Sequence, residues 1–196
     1  MRLFIGIGLP GRCREAIAEA VSSVRERGDG ISWTRAENLH LTLKFLGEVA
    51  EDRVEGLAEG MARAAGDVRP FDLVLEGVGG FPSIDFPRIL WVGIREPLDP
   101  VRKLHQNMEN VLSGAGFPRE GRIFHPHVTV ARVRKRLPRG RSERIAAALA
   151  GRRFGIVHAE SYRLYESRLS PAGAVYAVVR EIRFGGAPET TKQGGA

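Results

Sequence analysis

The chain has 196 residues, 43% apolar and 27% charged, enough to build one large domain or two small lobes around a real core and too apolar for general disorder. No run approaches the roughly 20 apolar residues of a membrane-spanning helix, the N-terminus lacks the long apolar region and cleavage site of a secretory leader, and Cys13 is the only cysteine; a membrane span, an internal disulfide and a cysteine-based zinc site are excluded, and a cytoplasmic protein is expected. A net charge of +7 says nothing about fold but favours phosphate-bearing partners through salt-sensitive attraction; the competing reading is a solubility or genome-wide arginine bias.

In chain order, Leu3, Ile5, Ile7 and Leu9 alternate and predict a strand over 2–9, which Pro10-Gly11 ends. Ala16, Ile17, Ala20, Val21 and Val24 recur at helical spacing and predict a helix over 12–27, followed by a turn at Gly28-Asp29-Gly30. A strand over 39–46, a helix over 51–65, strands over 70–78 and 88–94 around a Gly/Pro-rich loop, and a helix over 98–114 come next. A strand over 127–133, a short helix over 142–150, and strands over 155–168 and 174–183 complete the pattern; 185–196 is small and polar and is expected to be a mobile tail. Strands joined directly to strands predict antiparallel pairing. Near residue 95 the order of helix and then His-x-Thr strand, present once already, starts again, which suggests one domain over 1–184 made of two similar lobes facing one another.

The strongest signal is that repeated strand. One copy is His40-Leu41-Thr42-Leu43, the other His127-Val128-Thr129-Val130. Side chains alternate along a strand, so each copy presents an imidazole and a hydroxyl together on one face and two aliphatic residues to the core. If the two strands face each other, two imidazoles and two hydroxyls converge. That set suits the opening of a cyclic phosphodiester: one histidine takes a proton from water, the other gives one to the departing ribose oxygen, and the hydroxyls donate to the non-bridging oxygens. Neither metal nor cofactor is demanded by this chemistry.

These paired motifs, with Arg2-Leu3-Phe4-Ile5, Trp33-Thr34, the segment Leu39 to Gly47 and the segment Pro126 to Arg132, resemble the two-histidine (2H) phosphoesterases, and among them the RNA 2',3'-cyclic phosphodiesterase (2'-5' RNA ligase) family. The resemblance runs from residue 2 to about residue 183. It implies an α+β, bilobal pseudo-twofold fold of two antiparallel-rich sheets flanked by helices, with the active-site groove between the lobes. It implies hydrolysis of an RNA 2',3'-cyclic phosphate terminus to a 2'-phosphate without a cofactor, and a monomer is expected. By motif position, His40 is the proton donor, His127 the proton acceptor, and Thr42 and Thr129 hold the phosphate. Reversible 2'-5' ligation, hydrolysis of a small cyclic nucleotide, and a basic RNA-binding module without turnover stand as alternatives.

Weaker signals surround this one. Arg132 follows the second motif and either meets a base or phosphate or is a solvated strand-end charge. Phe45 is assigned to the core in preference to the groove. The charged run from Arg132 to Arg141 reads equally as an RNA-backbone surface and as an exposed loop. His125 is placed at the start of the strand as a hydrogen-bonding group beside His127, while His105 and His158 are read as surface or satisfied core residues. His125-Pro126-His127 lacks a clear third metal ligand. Gly6-Ile7-Gly8-Leu9-Pro10-Gly11 matches a dinucleotide-binding glycine pattern, but Pro10 removes a backbone donor and the alternation carries a strand through Gly6 and Gly8.

Overall fold

The computed structural model describes residues 1–28, 30–95, 97–171 and 173–185. Asp29 of the expected turn and residues 186–196 of the expected tail lie outside the described residues. Nine strands and four helices are present among them: β1 Arg2–Gly8, α1 Gly11–Ser22, β2 Ile31–Trp33, β3 His40–Glu48, α2 Val54–Ala65, β4 Phe71–Phe81, β5 Ile89–Arg95, α3 Asp99–Gly114, β6 His127–Val133, α4 Arg141–Leu149, β7 Arg153–Ala159, β8 Ser161–Ser170 and β9 Gly173–Arg183.

Three elements depart from the sequence expectation. The first helix stops at Ser22 because the hydroxyls of Ser22 and Ser23 bond back to the carbonyls of Glu19 and Ala20 at 2.6 and 2.7 Å, competing with continuation of the helix. The short strand β2 was not expected; it pairs with β6 from Ile31 opposite Val133 to Trp33 opposite Ala131. The strand expected over 155–168 is two strands, β7 and β8, which break at Glu160 and lie in different halves of the sheet. The buried positions change phase at that point, from Val157 and Ala159 to Tyr162 and Leu164, a signal that periodicity over a single long strand conceals.

All strand pairings among the described residues are antiparallel, in the order β7-β4-β5-β6-β3-β1-β8-β9, with β2 beside β6. The sheet therefore divides into two four-stranded lobes, β7-β4-β5-β6 and β3-β1-β8-β9, which meet where β6 lies beside β3. A single backbone pairing, Leu41 with Val128, joins them. One face carries the core: Leu3, Ile5 and Ile7 on β1, Leu41 and Leu43 on β3, Leu90 and Val92 on β5, and Val128 and Val130 on β6 pack with Ile17, Leu57, Met61, Leu104 and Met108 from the helices. The opposite face curls on itself. Three strand spacings separate β3 from β9, about 14 Å in a flat sheet, yet the Asn38 side-chain amide just before β3 donates to the Ala174 carbonyl of β9 at 2.7 Å.

The helices also tie one lobe to the other. The helix α1, which follows β1, packs against β7 of the other lobe, with Cys13 buried beneath Gly155. In the same way α3, which follows β5, reaches β3 through a buried ion pair: Lys44 Nζ lies 2.5 Å from Glu109 and also donates to the Pro118 carbonyl at 2.8 Å. The second carboxylate oxygen of Glu109 accepts the Glu120 amide at 2.9 Å. Burial alone would push the Glu109 carboxyl up, but the hydrogen bonds from Lys44 and Glu120 and the Lys44 charge hold it below the ordinary value. Truncating one member of such a pair strands the other. Lys44→Met is expected to lower stability by about 3–5 kcal/mol, whereas Lys44→Met with Glu109→Leu costs markedly less. Guanidinium unfolding midpoints check this, and an equal loss in the single and double variants would contradict it.

Candidate active site

Each motif histidine is set by the backbone two residues earlier. His40 Nδ1 lies 2.7 Å from the Asn38 carbonyl, and His127 Nδ1 lies 2.7 Å from the His125 carbonyl. A carbonyl only accepts, so Nδ1 carries the proton in both rings and Nε2 is the nitrogen free to exchange one. Asn38 is itself held by Ala174. Pro126, which is buried, biases His125 before it toward extended backbone.

The pairing of Leu41 with Val128 decides the rest. Both residues are sealed in the core, at 1% and 0% exposure, so their neighbours point to the opposite face. Antiparallel register sets His40 across from Thr129 and Thr42 across from His127, and all four side chains are half-buried on that face. Thr42 Oγ1 is 2.9 Å from His40 Nε2. The structure thus brings His40, Thr42, His127 and Thr129 together.

Arg132 joins the same face through a β-bulge. In β6, Leu90 pairs with Ala131 but Trp91 pairs with Thr129, so the extra residue, Val130, shifts the phase; Val130 and Ala131 are both buried and Arg132 is exposed. The first motif does the same at the matching position. Ile5 pairs with Lys44 but Gly6 with Thr42, so Leu43 and Lys44 are both buried and Phe45 emerges at 63% exposure. The core assignment of Phe45 is therefore corrected: its ring stands 6.1 Å from Phe4 on the site face. Strict alternation misplaced it because it takes no account of a bulge.

Aromatic rings wall each histidine. His40 lies 4.7 Å from Phe4 and 5.3 Å edge-on from Tyr176, with Tyr165 stacked on Phe4 at 5.0 Å. His127 lies 5.1 Å edge-on from Phe81 and 6.1 Å from Trp91, which also touches His125 at 4.9 Å. These six residues (Phe4, Phe81, Trp91, Tyr165, Tyr176 and Asn38) were missed by sequence reasoning, since they come from five strands and a turn with no common spacing. Burial among these walls pushes both imidazoles below their ordinary value of 6.5, opposed by the carbonyls of Asn38 and His125. The charges of His127 and Arg132 push His40 further down, and that of His125 does the same to His127.

The remaining histidines stay apart from this chemistry. His105 stacks on Phe124 at 4.0 Å, and His158 Nδ1 meets Asp72 at 2.5 Å on the exposed side of β7. Among the described residues no three His, Cys, Asp or Glu side chains converge as a metal-binding group. The first two glycines of the apparent dinucleotide pattern, Gly6 and Gly8, lie in β1, and Gly6 serves another purpose: a methyl there would meet the Leu41 carbonyl oxygen at 2.7 Å and His40 Cδ2 at 3.3 Å.

Two lobes that each present the same strand, bulge and histidine amount to a duplicated site, and the comparison with known proteins finds that duplication. The profile of the LigT-like phosphoesterases matches the chain twice, over residues 7–91 and again over 92–176. The chain belongs to the LigT-like phosphoesterase family. It is 33% identical over 186 residues to the RNA 2',3'-cyclic phosphodiesterase of Thermotoga maritima, covering 95% of this chain and 97% of the relative. It is 33% identical over 183 residues to the protein of the same name in Archaeoglobus fulgidus, covering 92% and 98%. Among solved structures it superposes on TT0787 of Thermus thermophilus with a TM-score of 0.77, 28% identity and 95% and 99% coverage, and on E. coli LigT complexed with 3'-AMP with a TM-score of 0.76, 25% identity and 93% and 97% coverage. For this LigT-like phosphoesterase, Gly6→Ala is expected to push the Leu41 backbone and His40 away from β1, lowering the thermal midpoint and, in the protein that remains folded, kcat by about 10²-fold. Steady-state phosphodiester cleavage with circular dichroism as the control tests this, and unchanged kcat would show that the ring does not depend on the bare backbone beneath it.

Proposed function

We propose that this protein hydrolyses the 2',3'-cyclic phosphate at the end of an RNA strand to a 2'-phosphate, with His40 and His127 as the acid and base and without a metal. The observation that carries this reading is the pairing of Leu41 with Val128, which sets two imidazoles, each with Nδ1 tied to a carbonyl, on one half-buried face. The names of the Thermotoga and Archaeoglobus relatives support the substrate. The E. coli LigT structure holds 3'-AMP, a ribonucleotide with phosphate on one of the two oxygens of the cyclic ester, whereas the product proposed here carries it on the other, the 2'-oxygen.

In this mechanism a water oxygen attacks phosphorus and passes its proton to Nε2 of His127. The bond between phosphorus and the ribose 3'-oxygen breaks, and that oxygen takes the proton from Nε2 of His40. The product is a 2'-phosphomonoester with a free 3'-hydroxyl, and the two histidines have exchanged protonation states. Thr129 and Thr42 donate hydrogen bonds to the non-bridging oxygens, where negative charge is held through the transition state. Thr42 gives up its bond to His40 to do so, which releases Nε2 of His40 toward the leaving oxygen. Arg132, on the same face, supplies a fixed positive charge to the phosphate.

General acid or base catalysis by one group contributes about 10²–10⁴-fold. His40→Ala and His127→Ala are each expected to lose at least that much in kcat on a cyclic-phosphate oligonucleotide while retaining the native thermal midpoint. Near-normal turnover in either variant would remove that residue from the mechanism, and loss of wild-type activity with chelator would contradict the metal-free scheme. The pH profile gives a second check. Both pKa values are lowered from 6.5, so the singly protonated pair that the mechanism requires is most populated on the acid side of 6.5. The maximum of kcat/KM, which reports the free enzyme, is expected there. Removing the Arg132 charge raises the His40 pKa, so Arg132→Ala moves that maximum to higher pH. A wild-type maximum in the alkaline range would contradict the assignment.

A further inference from the structure

A cavity of about 890 Å³ opens at the far end of β6, beyond the catalytic motif. One wall is the segment that continues β6, from Val133 to Arg139, and the other is the loop between β4 and β5, which carries Phe86 and Arg88. Both walls leave directly from the active site. The first follows Arg132, and the second follows Phe81, whose ring stands beside His127. Residue 134 lies about 20 Å along the chain from His127, the span of a few nucleotides and too far for the terminal one.

The lining is strongly cationic. Arg88, Arg134, Lys135, Arg136 and Arg139 face only two carboxylates, Asp85 and Glu143. Among the described residues none of these five cations has a carboxylate within 4.0 Å, unlike Arg163, Arg168 and Arg180, which are paired with Glu181, Glu166 and Glu55. Ser142 engages Glu143 at 3.2 Å, which occupies part of that residue's accepting capacity. An aromatic platform stands among the charges: Phe86 is 66% exposed, with the Arg136 guanidinium 5.8 Å from its ring centre. A large exposed ring under a guanidinium costs solvation unless a flat ligand covers it. Uncompensated cations around such a ring are what a single-stranded nucleic acid requires, since its phosphates seek the charges and its bases stack on the ring.

We propose that this cavity is a second subsite for the RNA strand, holding nucleotides on the 5' side of the cyclic phosphate, with a base stacked between Phe86 and Arg136 and backbone phosphates on Arg134, Lys135 and Arg139. The inference rests on the proposed RNA reading of the active site and extends it: the enzyme selects polymer ends over free cyclic nucleotides.

The test compares 2',3'-cyclic AMP with single-stranded oligonucleotides of increasing length that end in a 2',3'-cyclic phosphate. KM is expected to fall with length until the strand reaches the cavity and then to level off. Phe86→Ala is expected to raise KM for the long oligonucleotides roughly tenfold and to leave turnover of cyclic AMP unchanged. Arg134→Ser with Arg136→Ser should do the same and flatten the salt dependence of KM. All three residues are exposed, and a circular dichroism spectrum confirms that each variant is folded. A wild-type KM independent of length would overturn the subsite, as would variants that impair cyclic AMP and long RNA equally. The same strands ending in a 2'-phosphate, followed by fluorescence anisotropy, measure the subsite without turnover. Hydrolysis of none of the cyclic phosphates would sink the activity, whereas length-independent affinity insensitive to Phe86→Ala would sink the subsite alone.

Discussion

The site depends on one contact between two strands far apart in the chain. Leu41 and Val128 pair across the junction of the lobes, and both are held in the core. Because side chains alternate, burying those two residues forces their neighbours onto the opposite face, where the imidazoles and hydroxyls then have no choice but to meet. A slip of one residue in either strand would turn that strand's histidine and threonine into the core. The hydrophobic pattern of the motif is thus as important to the geometry of the candidate site as its polar residues, since Leu41, Leu43, Val128 and Val130 fix the register that aligns it.

A junction made by one backbone pairing needs support from elsewhere, and the helices provide it. Lys44, next to the bulge in β3, is locked to Glu109 of α3, and Glu109 in turn grips the Glu120 amide in the segment leading to His127. Arg141, at the start of α4, pairs with Glu26 at 2.9 Å and donates to the Val24 carbonyl, tying α4 to the segment that follows α1. These buried charges stabilise little net of their desolvation, but they admit few alternative arrangements. Their position between the lobes suits a site in which displacements of about 1 Å matter.

Much of this was legible in the sequence, and the parts that were not share a physical reason. Strand 127–133 coincides with β6, and the Pro10-Gly11 break and the His-x-Thr doublet could be read because they rest on local rules: alternation, a missing amide, a repeated spacing. Antiparallel pairing and the hint of two lobes followed from the order of elements, and the α+β bilobal fold from the family resemblance. Phe45 was misassigned because a bulge changes phase without changing residue type. The boundary at Glu160 was hidden for a related reason, a phase change with no Gly or Pro beside it to mark it. The aromatic walls could not be read at all: Tyr165 meets Phe4 through the pairing of β1 with β8, and Tyr176, two strands from Phe4, reaches it because the sheet curls, so both contacts belong to the assembled sheet.

Those walls also define the electrical problem of the site. Burial among rings lowers both imidazoles from their ordinary value, which under the proposed mechanism suits the base and disfavours the acid. The substrate resolves the conflict. In the proposed mechanism a phosphate anion entering between the histidines stabilises the protonated form of either ring, so the proposed acid is charged most readily when the group it is to protonate is present. Arg132 works in the opposite direction, lowering the His40 pKa while attracting the same anion. Under the proposed mechanism a single fixed cation thereby attracts the phosphate and disfavours a doubly protonated empty site, which favours the singly protonated pair that the reaction requires.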